Sequence, residues 1–179
     1  MTDAKPREHR LSVPRSARCF SWGGEAAAEA WVVLHGYGQL ASRFLRGFES
    51  IATPTRLVVA PEGLSRFYLD AGAGKVGSSW MTKEDRLHEI EDYLAYLAQV
   101  RAALIPPVPL TILGFSQGVA TAARWAVATA PASMTPGRSL LANTSGRSWA
   151  PVASTTCLAR TRHRRSRNTG ARSGGKWSP

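Results

Sequence analysis

The sequence is poor in cysteine, in membrane-length apolar runs and, over its last quarter, in acid. Its only cysteines, Cys19 and Cys157, stand in no ligand motif, which argues against a disulfide framework or a cysteine metal site. No stretch approaches the ~18 consecutive apolar residues of a spanning helix. Met1–Arg10 is charged, and no apolar run follows it as in a secretory signal. The expectation is therefore no transmembrane segment and a reducing, cytoplasmic setting. No Asp or Glu follows Asp92. Residues 1–131 hold 14 Lys/Arg against 12 Asp/Glu, a balance of +2, whereas 132–179 hold 9 Lys/Arg and no acid. The net charge of +11 thus belongs almost wholly to the last quarter, which has to be explained separately.

What is present fits one domain. A chain of 179 residues, 44% hydrophobic, can bury one core and is too short for two. Residues 1–15 are charged and proline-punctuated, a loosely held lead-in. Ser16–Trp22 reads as a short strand. Ala30–Leu34, Arg56–Ala60 and Leu110–Leu113 are continuous apolar runs, the pattern of strands buried on both faces. Leu40–Ile51 has helical spacing, with Phe44, Leu45 and Phe48 on one side. Asp85–Leu104 is the clearest helix: Leu87, Ile90, Leu94, Leu97 and Leu104 recur at three- and four-residue steps, acids gather at its start, and Pro106-Pro107 stops it. Val119–Ala130 is alanine-rich and helical up to Pro131. Strands alternating with helices predict an α/β fold, a mainly parallel sheet covered on both faces. The domain so predicted is 16–131. Residues 132–179 form a basic tail without a core of their own, in which only Ser139–Ala142 has the makings of a strand.

Two motifs carry chemistry. Gly114-Phe115-Ser116-Gln117-Gly118 is a G-x-S-x-G pattern placed directly between a strand and a helix, the context a nucleophile turn requires. The turn forces Ser116 into a strained backbone conformation, and glycines two residues to either side remove the side chains that would collide there. Leu34-His35-Gly36-Tyr37-Gly38-Gln39 follows another buried strand, and its glycines let the backbone approach a substrate closely. An oxyanion hole needs two donors converging on one oxygen, one beside the nucleophile and one from such a loop. His35 reads as a loop-bracing histidine, because a catalytic base belongs later in the chain.

With these motifs, Ala60-Pro61-Glu62-Gly63 and Ser79-Trp80, the stretch from Trp31 to Ala130 resembles the phospholipase/carboxylesterase family of α/β-hydrolases, which includes acyl-protein thioesterases. The resemblance implies an α/β-hydrolase fold, truncated here after the nucleophile helix, and hydrolysis of small-molecule carboxylic esters or thioesters without a cofactor or metal. It implies Ser116 as nucleophile, the backbone amides of Tyr37 and Gln117 as oxyanion donors, and Trp80 as a substrate-binding aromatic near the pocket mouth. The departure is equally specific. The triad order in this fold is Ser, acid, His, yet no acid follows Ser116. The one later histidine, His163, stands among arginines that lower its basicity. The chain is therefore expected to be inactive, with Leu110–Leu113 left as an aggregation-prone apolar edge. The tail reads best as out-of-frame sequence, ahead of a solvated linker. The alternative is a non-catalytic chain whose basic arm binds nucleic acid or an anionic membrane, although nucleic acid is the weaker partner. The oligomeric state is left open.

Overall fold

In this computed structural model the structure describes residues 5–70, 72–129 and, as backbone, 140–143. Five strands form the main sheet: β1 (Cys19–Trp22), β2 (Glu29–Leu34), β3 (Arg56–Pro61), β6 (Leu110–Phe115) and β7 (Leu140–Asn143), in the order β1-β3-β2-β6-β7. β3, β2, β6 and β7 run parallel, with Val32 opposite both Val59 and Ile112. The sheet is mainly parallel, as expected, and β1 is its antiparallel member, paired with β3. The loop from Trp22 to Glu29 is too short to hold the crossover a parallel return needs.

The continuous apolar runs are explained by what covers the sheet. Side chains alternate across it, so Ala30, Val32, Leu34, Leu57, Val59, Leu110 and Ile112 face one way. They pack against Tyr93, Leu97 and Val100 of α2 (Arg86–Leu104) and Ala122 and Trp125 of α3 (Gln117–Thr129). Val33, Val58, Ala60 and Leu113 face the other way, onto Ala41 and Leu45 of α1 (Ala41–Leu45) and onto Phe48. Each layer is dry on both sides, as a parallel sheet demands.

Three local expectations change. The helix expected over Leu40–Ile51 is α-helical only to Leu45 and tightens to a 3-10 segment over Arg46–Ile51, where Gly47 lowers helix propensity. The buried stripe of α2 is Tyr93, Leu97 and Val100, whereas Leu87 is 69% exposed; an acid-rich helix start projects past the sheet it covers. A two-stranded antiparallel hairpin, β4 (Ser65–Asp70) and β5 (Lys75–Ser79), was not foreseen. Its outer half is exposed, so it carries no buried run to reveal it.

The largest correction concerns the far side of β6. Leu110–Leu113 is not an open edge, since β7 pairs with it from Ile112↔Leu140 to Phe115↔Asn143. β7 overlaps the Ser139–Ala142 fragment expected as the tail's one strand and completes the sheet locally, supplying the backbone partners that an apolar strand needs. The rest of 132–179, with its basic-arm and frame readings, lies outside the described residues.

This pairing makes a prediction. A chain ending at residue 131 should self-associate where the full chain does not, because β6 then presents unpaired N–H and C=O groups. Size-exclusion chromatography with light scattering compares the two, and a monomeric truncated chain would contradict the pairing.

Candidate active site

Ser116 lies between the last residue of β6 and the first of α3, at φ 51°, and is the one non-glycine residue with positive φ among the described residues. Such a conformation costs a residue with a Cβ about 1–2 kcal/mol, so something must hold it. A Cβ on Gly114 would lie 2.3 Å from the Gly118 carbonyl oxygen, and one on Gly118 would lie 2.2 Å from that of Leu34. The backbones of β2, β6 and α3 therefore meet with no room for a side chain. Ser116 is left exposed at the sheet's C-terminal end, with the first turn of α3 beginning beside it.

The loop after β2 comes to the same place. A Cβ on Gly36 would sit 3.2 Å from that of Ser116 and 2.9 Å from Phe115 Cδ1. Within this loop, the Gly36 amide donates to Gln39 Oε1 at 2.7 Å, the Gly38 amide to the Ser78 carbonyl at 2.9 Å, and the Gln39 amide to the Gly36 carbonyl at 3.2 Å. No described residue accepts from the Tyr37 amide. The Gln117 amide likewise finds no described acceptor, as befits the first turn of a helix.

Three side chains brace this arrangement from beneath. His35 is fully buried. Its Nε2 accepts from the Gly63 amide at 2.9 Å, so the proton sits on Nδ1, which donates to the Gly36 carbonyl at 2.8 Å. Burial holds its imidazole below the ordinary histidine range, against the pull of Gly36 and Glu62. Trp80 donates from Nε1 to the His35 carbonyl at 2.9 Å and stacks on the His35 ring at 5.0 Å. The Gln117 side chain accepts from the Trp80 amide at 3.0 Å and donates to the Met81 carbonyl at 2.7 Å. The nucleophile helix is thus tied to the segment after β5.

No protein-family profile and no curated protein sequence matches the chain. Among solved structures it is similar to Zea mays acyl-protein thioesterase 2 (21% identity, 62% of this chain and 51% of that one, TM-score 0.47). It is similar also to a phospholipase/carboxylesterase from Dyadobacter fermentans (19%, 74% and 65%, TM-score 0.44) and to a Mesorhizobium loti carboxylesterase (20%, 69% and 58%, TM-score 0.45). The chain spans about half the length of the maize structure. Its own sheet order and the helices packed on both faces decide the fold class. This is an α/β fold.

Within this fold the structure brings together Ser116 and the loop of Tyr37, and puts Gln117 at the start of the adjoining helix. It does not put Trp80 at a pocket mouth. Trp80 is 2% exposed and packs edge-on against Tyr93 in the core, because its indole nitrogen is needed on the His35 carbonyl. The exposed aromatic beside the site is Tyr37, at 59%, stacked with Phe67 at 5.0 Å. Sequence reasoning missed the bracing roles of Gln39, Ser78 and the Gln117 side chain. The polar pair Ser78-Ser79 ahead of a tryptophan was the available signal.

No general base is joined to Ser116 among the described residues. His35 is consumed by backbone, and His88 pairs with Asp85 at 2.8 Å, a carboxylate that also holds Arg10. His163 lies outside the described residues.

Two outcomes follow from this geometry. Ser116→Gly should raise stability by about 1 kcal/mol by releasing the strained Cβ, while Ser116→Ala, which keeps that Cβ, should not. Urea unfolding midpoints test the contrast, and equal midpoints would mean no strain is stored there. His35, kept neutral in the fold, titrates near ~6.5 when unfolded. Its contribution is full above that pH and is lost as pH falls towards the lower folded value, because the unfolded chain takes up the proton first. Unfolding free energy should therefore fall as the pH drops below about 6.5, with a shallower slope in His35→Gln.

Proposed function

We propose that the chain carries the nucleophile and oxyanion half of a serine hydrolase acting on small-molecule carboxylic esters or thioesters. The observation that carries this reading is the meeting of two motifs distant in sequence: a Cβ on Gly36, next to Tyr37, would lie 3.2 Å from the Ser116 Cβ, 80 residues further along the chain. In this reading Ser116 Oγ attacks the acyl carbon. The Tyr37 and Gln117 amides, free of other described acceptors, stabilise the oxyanion that forms as the carbonyl π-bond breaks. The alcohol or thiol then leaves, and water releases the acyl group from Ser116. The proton of Ser116 has to pass to a base held by an acid, and no such pair adjoins Ser116 among the described residues. Turnover by this chain is accordingly proposed to be low. Among the described residues no helix is long and apolar enough to cross a membrane. A cytoplasmic setting remains part of the proposal.

The test is hydrolysis of p-nitrophenyl butyrate by the purified chain, with Ser116→Ala beside it. The expected rate is at most the roughly 10³–10⁴-fold over water that oxyanion binding retains when a triad member is lost. A turnover typical of a working esterase, abolished by Ser116→Ala, would show that a competent base and acid are present. A fluorophosphonate probe should label Ser116 slowly, and no labelling at all would overturn the nucleophile assignment.

A further inference from the structure

Beside the loop that carries Tyr37 lies an open cleft of about 290 Å³, lined by Gly38, Gln39, Leu40, Arg43, Phe44, Leu69, Lys75 and Val76. Its floor is the end of the loop after β2, one wall is α1, and the other is the β4–β5 hairpin. Phe44, one of its lining residues, lies 6.2 Å between ring centroids from Phe115, the residue before Ser116. The floor is fixed to the hairpin wall. The Gly38 amide donates to the Ser78 carbonyl at 2.9 Å, and the Ser78 amide and hydroxyl donate to the Gln39 carbonyl at 3.1 and 2.8 Å. A ligand entering here meets a shape already formed, which lowers the ordering cost of binding.

The chemistry of the lining is uneven. Leu40, Phe44, Leu69 and Val76 are apolar, two cations stand among them, and no carboxylate lines the cleft. Elsewhere in the fold Arg18 and Arg66 are committed to Glu62, and Arg56 to Glu29. Arg43 and Lys75 have no ion-pair partner among the described residues. The nearest candidate in register, Asp70 opposite Lys75 in the hairpin, turns Oδ1 to the Gly72 and Ala73 amides at 3.0 and 3.4 Å. Two unpaired cations at the rim of an apolar cleft favour a ligand with a short hydrocarbon body and an anionic end.

We propose that this cleft binds the non-reacting end of an ester bearing a carboxylate or phosphate, with Arg43 and Lys75 selecting the anion over neutral acyl esters. The proposal rests on the serine-hydrolase reading for the word ester, while the anion preference of the cleft stands on its own lining. A neutral substrate leaves both cations facing only water, and an anion gains two charge-assisted contacts, which are screened by salt.

The experiment uses the full chain at neutral pH and three probes of equal chain length: hexanoate, hexyl phosphate and neutral hexanamide. Dissociation constants are read by ligand-detected NMR. The better of the two anions should bind roughly tenfold more tightly than hexanamide, and the preference should shrink at high salt. Which anion is preferred assigns carboxylate or phosphate. Arg43→Gln and Lys75→Gln should each remove most of the preference and leave hexanamide binding unchanged, whereas Arg43→Lys should retain it. Unchanged hexanamide binding also shows that the variants are folded. Equal affinity for all three probes, or a preference that survives both glutamine variants, would overturn the proposal. Fluorophosphonate labelling of Ser116, run on the same samples, separates this result from the functional reading. Anion preference without labelling removes the hydrolase and keeps the site. Labelling without preference does the reverse.

Discussion

The structure depends on one close approach of backbone to backbone. At the C-terminal end of the sheet, β2, β6 and the start of α3 pack so tightly that neither Gly114 nor Gly118 can carry a Cβ. That contact fixes where α3 begins, and it leaves Ser116 in a left-handed conformation it would not adopt alone. The strain is sustained by the packing of strands and helix around it, since buried layers on both faces of the sheet leave no room to relax. A serine hydroxyl so placed stands clear of its neighbours, and the helix that follows brings unpaired N–H groups to the same side.

The second layer of control is polar and buried. His35, Trp80 and the Gln117 side chain fix the loops around Ser116 from beneath. Each ring or amide group bonds chiefly to backbone: His35 to Gly36 and Gly63, Trp80 to the His35 carbonyl, Gln117 to Trp80 and Met81. Satisfying these groups costs little when all partners are present and becomes expensive when one is removed. Glu62 works in the same way on the outer side. It is fully buried, ion-paired to Arg18 at 2.6 Å, and accepts from the Ala41 amide at 3.3 Å. The loop after β3 is thereby joined to the start of α1, one wall of the cleft.

Electrophile stabilisation and proton transfer are separable parts of acyl transfer, and this chain distributes them unevenly. The elements that shape the oxyanion side come from the first two-thirds of the sequence and are densely cross-braced. The groups that would take a proton from Ser116 are not among them. In the proposed reading such a half-site orients an ester without turning it over quickly, because orientation depends on backbone placement and proton transfer on a base held at the right distance.

Much of this was legible in the sequence. The three apolar runs marked the central strands because burial on both faces leaves a continuous signature. Gly114 and Gly118 marked the nucleophile turn because only glycine fits there, and the loss of acid after Asp92 is visible by inspection. The sequence alone also identified His35 as a brace by its place before the triad order begins. Other features depend on contacts between distant residues. Ser139–Ala142 was readable as a strand fragment, but which strand it pairs with was not, since its bonds to β6 join segments nearly thirty residues apart through the backbone. Trp80 could not be assigned to core or mouth until its indole was seen on the His35 carbonyl. The hairpin and its cleft with Arg43 and Lys75 were likewise invisible, since exposed strands show no period of burial and cations at rims look like any solvated surface. Local pattern therefore determined the elements and the strained serine between strand and helix, and only tertiary packing decided which side chains brace that turn, which line the cleft and which face solvent.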